Sequence, residues 1–348
     1  METPLTIDMF SDTVTRPSDG MRAAMAAAEV GDEQLFEDPT TSGLQRRVAE
    51  LLSKAAAVFM PSGIMCNLAA YSVHCRPGDE IVLDQTAHPV HFEVGGVAAI
   101  VGAQLRTVTG TRGVFTEHDL GRAIRHPEMR NNPHSRVVSI EQTTNLGGGA
   151  VWTLDQVAVV AGRAREHNMI VHIDGARLLN AVAASGTSAE RFAAHADTIW
   201  IDFSKGLGAP VGAVLAGSEG FIHQAWKVKQ RLGGAMRQSG VIAAAALYAL
   251  DHNVDRLAED HAAARAFADI VATSPGVALD PTTVETNIVI FDIAPSGRDA
   301  AEVVAELRAR HGVRLSHMGG TTLRAVAHLD VTTAQSREAA EGLVGVLT

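Results

Sequence analysis

From about Thr41 to Ala216 the sequence alternates short apolar runs with segments of helical period, and this alternation is its strongest constraint on fold. Residues 41–54 put Leu44, Val48, Leu51 and Leu52 on one helical face, with Thr40 or Thr41 as the cap. Residues 57–60 predict a strand ended by Pro61-Ser62-Gly63, and residues 67–75 a helix. Strands follow at 80–84 and 137–141, a helix at 154–168, and strands at 169–174, 198–203 and 211–215. Apolar strands without polar alternation, separated by helices, predict an α/β fold with a mostly parallel sheet covered on both faces. Ligands of such sheets bind beyond the carboxyl ends of the strands.

After Leu250 the texture changes. A long helical pattern runs to about residue 271, then a strand (286–291), a helix (298–310) stopped by Gly312, and a strand near 322–326. A chain of 348 residues exceeds what one core usually serves. The expected division is an N-terminal arm and large domain over 1–250 and a small α+β domain over 251–348.

The formal charge, 29 − 39 = −10, argues against a duplex nucleic-acid binder and against an anionic membrane surface. The apolar run 241–250 is shorter than the ~20 residues a bilayer span needs and predicts a buried helix. Cys66 and Cys75 are not in a C-x-x-C arrangement, so two reduced thiols are expected. No basic-then-apolar leader pattern opens the sequence, and a cytoplasmic location is the expectation.

Two predicted strand ends carry groups that a plain core would not tolerate. One is Asp174 in HIDGAR; the other is Lys205 in DFSKGLGAP. Each is followed by glycine, which permits sharp exits and close approach of a ligand. An Asp–Lys salt bridge would account for the pair. So would pyridoxal 5'-phosphate (PLP), which needs a lysine for a Schiff base and an acid at its pyridine nitrogen. Pro61-Ser62-Gly63-Ile64 lies between a strand and a helix, where backbone N–H groups and the Ser62 hydroxyl form an anion site. His88 follows the strand ending at Asp84 and is placed to stack on the ring or move protons. Arg177, three residues past Asp174, should project near the ring; with Arg324 it is a candidate clamp for a substrate carboxylate. No third ligand joins His88 and His91, so no metal site is expected.

Taken in order, the motifs resemble those of the threonine aldolase family, of the fold-type-I, aspartate-aminotransferase-like PLP enzymes. They are SDTVT (11–15), EVGDEQLFEDPT (29–40), PSGIMCN (61–67), AHPVHFEVGG (87–96), E-x-T-x-N (141–145), HIDGAR, SKGLGAPVG, LGGAMRQSG (232–240) and RAVAHLDV (324–331). The resemblance implies that Lys205 carries PLP, Asp174 pairs with the pyridine nitrogen and His88 stacks on the ring. It implies that Ser62, Gly63 and Ile64 contact the phosphate, and that Ser11, Arg177 and Arg324 hold the substrate carboxylate. Arg237 would reach a phosphate in a neighbouring subunit of a homodimer or homotetramer with shared active sites. The implied reaction cleaves a β-hydroxy-α-amino acid to glycine and an aldehyde. β-Elimination, racemisation and transamination are the nearest alternatives, and a non-catalytic relative is the alternative from another class. Phe10, Ile64, Gln142, Thr144, Asn131 and Gln230 depart from residues common in the family. These departures bear on the substrate side chain and the stereochemistry.

Overall fold

The computed structural model describes residues 4–126 and 128–348. Its strands are β1 (Ile7–Asp8), β2 (Ala56–Met60), β3 (Glu80–Asp84), β4 (Gln104–Val108), β5 (Ser135–Glu141) and β6 (Ile170–Asp174). They continue with β7 (Thr198–Asp202), β8 (Ala213–Gly217), β9 (Ile288–Asp292), β10 (Val313–Arg314), β11 (Ser316–His317) and β12 (Thr322–Val326). A seven-stranded sheet has the order β2-β8-β7-β6-β5-β3-β4. β8 pairs antiparallel with both β2 and β7, and the other neighbours pair in parallel. The sheet is therefore mostly parallel, as expected.

The inner strands of this sheet are buried on both faces, which is why they read as largely apolar runs. Phe59 of β2 belongs to the main core, while Val58 and Met60 point the other way. On the main face Val138, Val171, Ile199 and Val214 share one core with Val157, Val160, Ala161 and Ala164 of the helix Leu154–Glu166. On the other face Val58, Met60, Trp200 and Leu215 meet Cys66, Ala69 and Ala70. Both cysteines are free and buried.

A second core gathers Phe267, Phe291, Leu323 and Leu343 around the antiparallel sheet β11-β12-β9. Ile7 and Met9 belong to this core, and β1 pairs in parallel with β10. The N-terminal arm thus packs on the C-terminal unit and carries Ser11 and Asp12 inward. No helix among the described residues is long and apolar enough to cross a membrane.

Several element ends differ from expectation. The first three helices are α1 (Asp19–Ala26), α2 (Pro39–Leu51) and α3 (Gly63–His74). α2 is capped by Asp38, not by Thr40 or Thr41: the Asp38 carboxylate accepts from Thr41 N at 2.8 Å, and Pro39 suits the first turn because it needs no N–H partner. α3 starts four residues before the expected Asn67, because Ser62 Oγ caps Met65 N. The helix expected at 241–250 runs over Gly240–His252, and the helical pattern expected after Leu250 begins only with Leu257–Val271. At the break, Asn253 Nδ2 donates to the Leu207 carbonyl. The edge strand β4 was missed, for its residues are mostly half-buried or exposed and carry no apolar run.

Gly175, just after β6, shows how tightly two strand exits meet. A Cβ there would overlap the Trp200 carbonyl oxygen of β7. Gly175→Ala should cost about 1–3 kcal/mol or more of stability by overpacking, read as a lower midpoint in urea.

Candidate active site

The carboxyl ends of β5, β6 and β7, the N-terminus of α3 and the hairpin before β12 enclose one cavity of about 950 Å³. Ser11, Ser62, Gly63, Ile64, His88, Asp174, Arg177, Lys205 and Arg324 all line it. Arg237 does not. Its side chain is 63% exposed and pairs with Asp32 at 2.8 Å, because residues 29–38 fold against the 232–240 segment. Asn131 and Gln230 are exposed and outside the lining.

The sequence contains four lysines, Lys54, Lys205, Lys227 and Lys229. Among the described residues only Lys205 lines the cavity. Lys54 donates to the Ala196 carbonyl, Lys227 is exposed, and Lys229 is fully buried against Glu33. Lys205 does not form the salt bridge with Asp174 that its position allowed. Its Nζ bonds Asp202 Oδ2 at 2.7 Å, within its own strand exit, because Asp202 also receives Ser204 N and shapes the turn. Asp174 is 2% exposed, and its Oδ1 accepts from Ala176 N at 3.1 Å and its Oδ2 from Asn67 at 2.8 Å. Burial pushes its carboxyl up, while the Asn67 bond, His88 and Lys205 oppose that shift. Glu141 ends the neighbouring strand; burial and then Asp174 push its carboxyl well up.

The first turn of α3 lines the cavity at Gly63 and Ile64, where Ser62 caps the helix. Gly63 is required there, since a Cβ would overlap the Trp200 ring and come 3.2 Å from Asp202 Oδ2. His88 opens the short helix α4 (His88–His91), and its Nδ1 lies 3.0 Å from Glu93 Oε1.

Two guanidiniums stand on the far side. Arg177 Nε and Nη2 both donate to Asp12 at 2.7 Å, and Asn287 Nδ2 reaches the same carboxylate at 3.1 Å. Burial would raise the Asp12 carboxyl, but Arg177, Lys205 and Asn287 together hold it well below the usual carboxylate range. Arg324 Nη1 donates to Asn145 Oδ1 at 3.0 Å, and its buried Nε has no partner among the described residues. Burial, with Arg177 nearby, pushes Arg324 down to about 10. One well-held and one under-satisfied guanidinium facing one cavity suit a carboxylate ligand.

Sequence reasoning missed Asp12, Asn67, Glu93, Glu141, Asn145 and Asp202 as site residues. Each lies inside or beside a quoted motif, but only the fold shows which of them turn inward.

Behind Asp174 lie the buried imidazole of His172 and the half-buried one of His74. Burial holds His172 at about 3 and His74 at about 4, so both stay neutral in the folded chain. The unfolded chain binds more protons between these values and about pH 6.5, so stability rises with pH across that window. Denaturation at pH 5 should therefore need less urea than at pH 7, and His172→Gln should flatten that difference.

A model of the beta-eliminating lyase family matches residues 8–294. Low-specificity L-threonine aldolase 1 of Arabidopsis thaliana is 38% identical over 330 residues, covering 94% of this chain and 92% of its own. The low-specificity L-threonine aldolase of Escherichia coli K12 is 36% identical over 335 residues, covering 96% and 97%. The structure of Leishmania major threonine aldolase has the same fold, with a TM-score of 0.84 at 18% identity over 99% of this chain and 100% of that one. On these grounds the chain belongs to the beta-eliminating lyase family and, within it, to the threonine aldolases.

Proposed function

We propose that this chain is a PLP-dependent aldolase that cleaves a β-hydroxy-α-amino acid of the threonine, allo-threonine or phenylserine type to glycine and an aldehyde. The observation that carries this reading is the meeting of the cavity's one lysine with Asp174, the α3 N-terminus and two arginines. That donor set fits PLP: an amine for its aldehyde carbon, a buried carboxylate for its ring nitrogen and a helix N-terminus for its phosphate. Lys205, Asp174 and the Ser62-Gly63-Ile64 turn would hold these three parts, with His88 against the ring. Bound PLP supplies a protonated pyridine that withdraws electrons from the substrate's α-carbon.

The chain's own residues do the rest. Arg177 and Arg324 grip the substrate carboxylate, with Ser11 beside them, and so fix which bond at the α-carbon is aligned to break. His88, engaged at Nδ1 by Glu93, takes the β-hydroxyl proton through Nε2. Asp202 keeps the Lys205 ammonium at the strand exit, on the cavity lining where the cofactor's aldehyde carbon would be held. The reading extends to a cytoplasmic assembly of two or four copies in which Arg237 meets the phosphate end of a neighbouring cavity. Its exposure, beside the exposed Leu35 and Phe36, supports that extension.

The test is product analysis after incubation with L-allo-threonine and PLP. Equal amounts of glycine and acetaldehyde are expected; 2-oxobutyrate, or an inverted enantiomer without cleavage, would contradict the reading. His88→Ala should lower kcat about 10²–10⁴-fold with a smaller change in KM, measured with the same assay.

A further inference from the structure

Asn67, on α3, is 1% exposed, and every hydrogen-bonding atom of its amide is engaged. Nδ2 donates to Glu93 Oε1 and to Asp174 Oδ2, both at 2.8 Å. Oδ1 accepts from Trp200 Nε1 at 2.8 Å and lies 3.1 Å from His172 Nε2. An indole N–H can only donate, so the oxygen of the amide must face Trp200. The two carboxylates on the opposite side demand the same orientation, because they accept from nitrogen.

That orientation sets the direction of every bond attached to it. His172 must carry its proton on Nε2 to donate to Asn67 Oδ1. Its Nδ1 then accepts from Thr198 Oγ1 at 2.9 Å, and the Thr198 oxygen accepts from His74 Nε2 at 3.2 Å. On the cavity side, Glu93 Oε1 receives Asn67 and the Nδ1–H of His88. This leaves Nε2 as the free ring nitrogen of His88. A core asparagine needs partners, but this one bridges two buried carboxylates that both line the cavity.

Resting on the reading of this cavity as a PLP site, we propose that Asn67 is a positioning residue. Held in one orientation by Trp200, it locks the ring-nitrogen acid Asp174 and, through Glu93, the proton-moving His88 into a single unit. The groups around Asp174 oppose one another. Ala176 N, Asn67, Lys205 and His88 favour its carboxylate form, while burial, Glu93 and Glu141 disfavour it. Removing the Asn67 bond leaves the second set less opposed.

Asn67→Asp keeps the shape, removes both donors and adds a negative charge against Asp174 and Glu93. The expected results are PLP affinity about tenfold weaker by equilibrium dialysis and an acid limb of the bound-cofactor absorbance moved up by about one pH unit. At pH 7 kcat should fall more than KM rises. Asn67→Ala should move all three the same way by less, and it decides the question if the aspartate variant does not fold. Lower thermal stability with wild-type PLP affinity and pH profile would overturn the proposal. A wild-type protein that takes up no PLP would instead overturn the functional reading. In that case nitrogen NMR of ¹⁵N-histidine-labelled protein still tests the network. A neutral Nε2–H tautomer of His172 from pH 5 to 8 is expected, and an Nδ1–H tautomer or a charged ring overturns the proposal.

Discussion

Lys205→Ala is expected to abolish the visible absorbance of the PLP-loaded protein and to lower kcat/KM by about 10⁴-fold or more. The size of the effect follows from the lack of a substitute. Lys54, Lys227 and Lys229 lie outside the cavity lining, and the last is locked against Glu33 in the interior. The variant should still fold, because the freed carboxylate of Asp202 keeps Ser204 N and Oγ as donors. Lys54→Ala, which removes a contact to the Ala196 carbonyl far from the cavity lining, serves as the control and should leave absorbance and turnover unchanged. Wild-type turnover in Lys205→Ala, measured by acetaldehyde release, would refute the assignment.

The second large effect falls on stability and binding together. Arg177→Ala leaves Asp12 buried with Asn287 as its one remaining side-chain hydrogen-bond donor among the described residues. Breaking a buried ion pair from one side costs about 3–5 kcal/mol, because the remaining charge is uncompensated. The same change removes half of the proposed carboxylate clamp, so on that proposal KM for the amino acid should rise steeply. Arg324→Ala separates the two contributions. Its partners are the neutral Asn145 amide and the Phe10 carbonyl, so KM should rise while stability changes little. The pH dependence has a definite sign. The Asp12 carboxyl is held below its unfolded value, so its contribution is present above the ordinary carboxylate range. Its loss begins as pH falls below that range and is complete only below the lower, folded value. Urea titrations of wild type and Arg177→Ala at pH 7 and pH 4 check both statements. The wild type should keep most of this ion-pair contribution at the lower pH.

What could be read from the sequence follows from where information is local. β3 and β12 both lie where expected: β3, buried on both faces, is written in consecutive residues, while in β12 half-buried Thr322 and Arg324 alternate with buried neighbours. The half-exposed β4 has no such signature, and its place at the sheet edge is decided by pairing with β3. At the site, Lys205 and Asp174 stand out because a charge at the end of an apolar strand is costly to bury unless something binds it. The partner of Lys205 did not follow. Asp202 and Asp174 are both strand-terminal carboxylates, and only the turn geometry selects Asp202. Asn67 was hidden for a different reason: an amide on an apolar helix reads as an ordinary core residue until both carboxylates beside it are located. Arg237 stands outside this chain's cavity.

Borohydride reduction of the PLP-loaded protein, followed by peptide mass mapping, tests most directly whether Lys205 holds PLP. One modified peptide per chain is expected, with the reduced cofactor's mass on Lys205. Modification at Lys54, Lys227 or Lys229, or an unmodified chain, would contradict it.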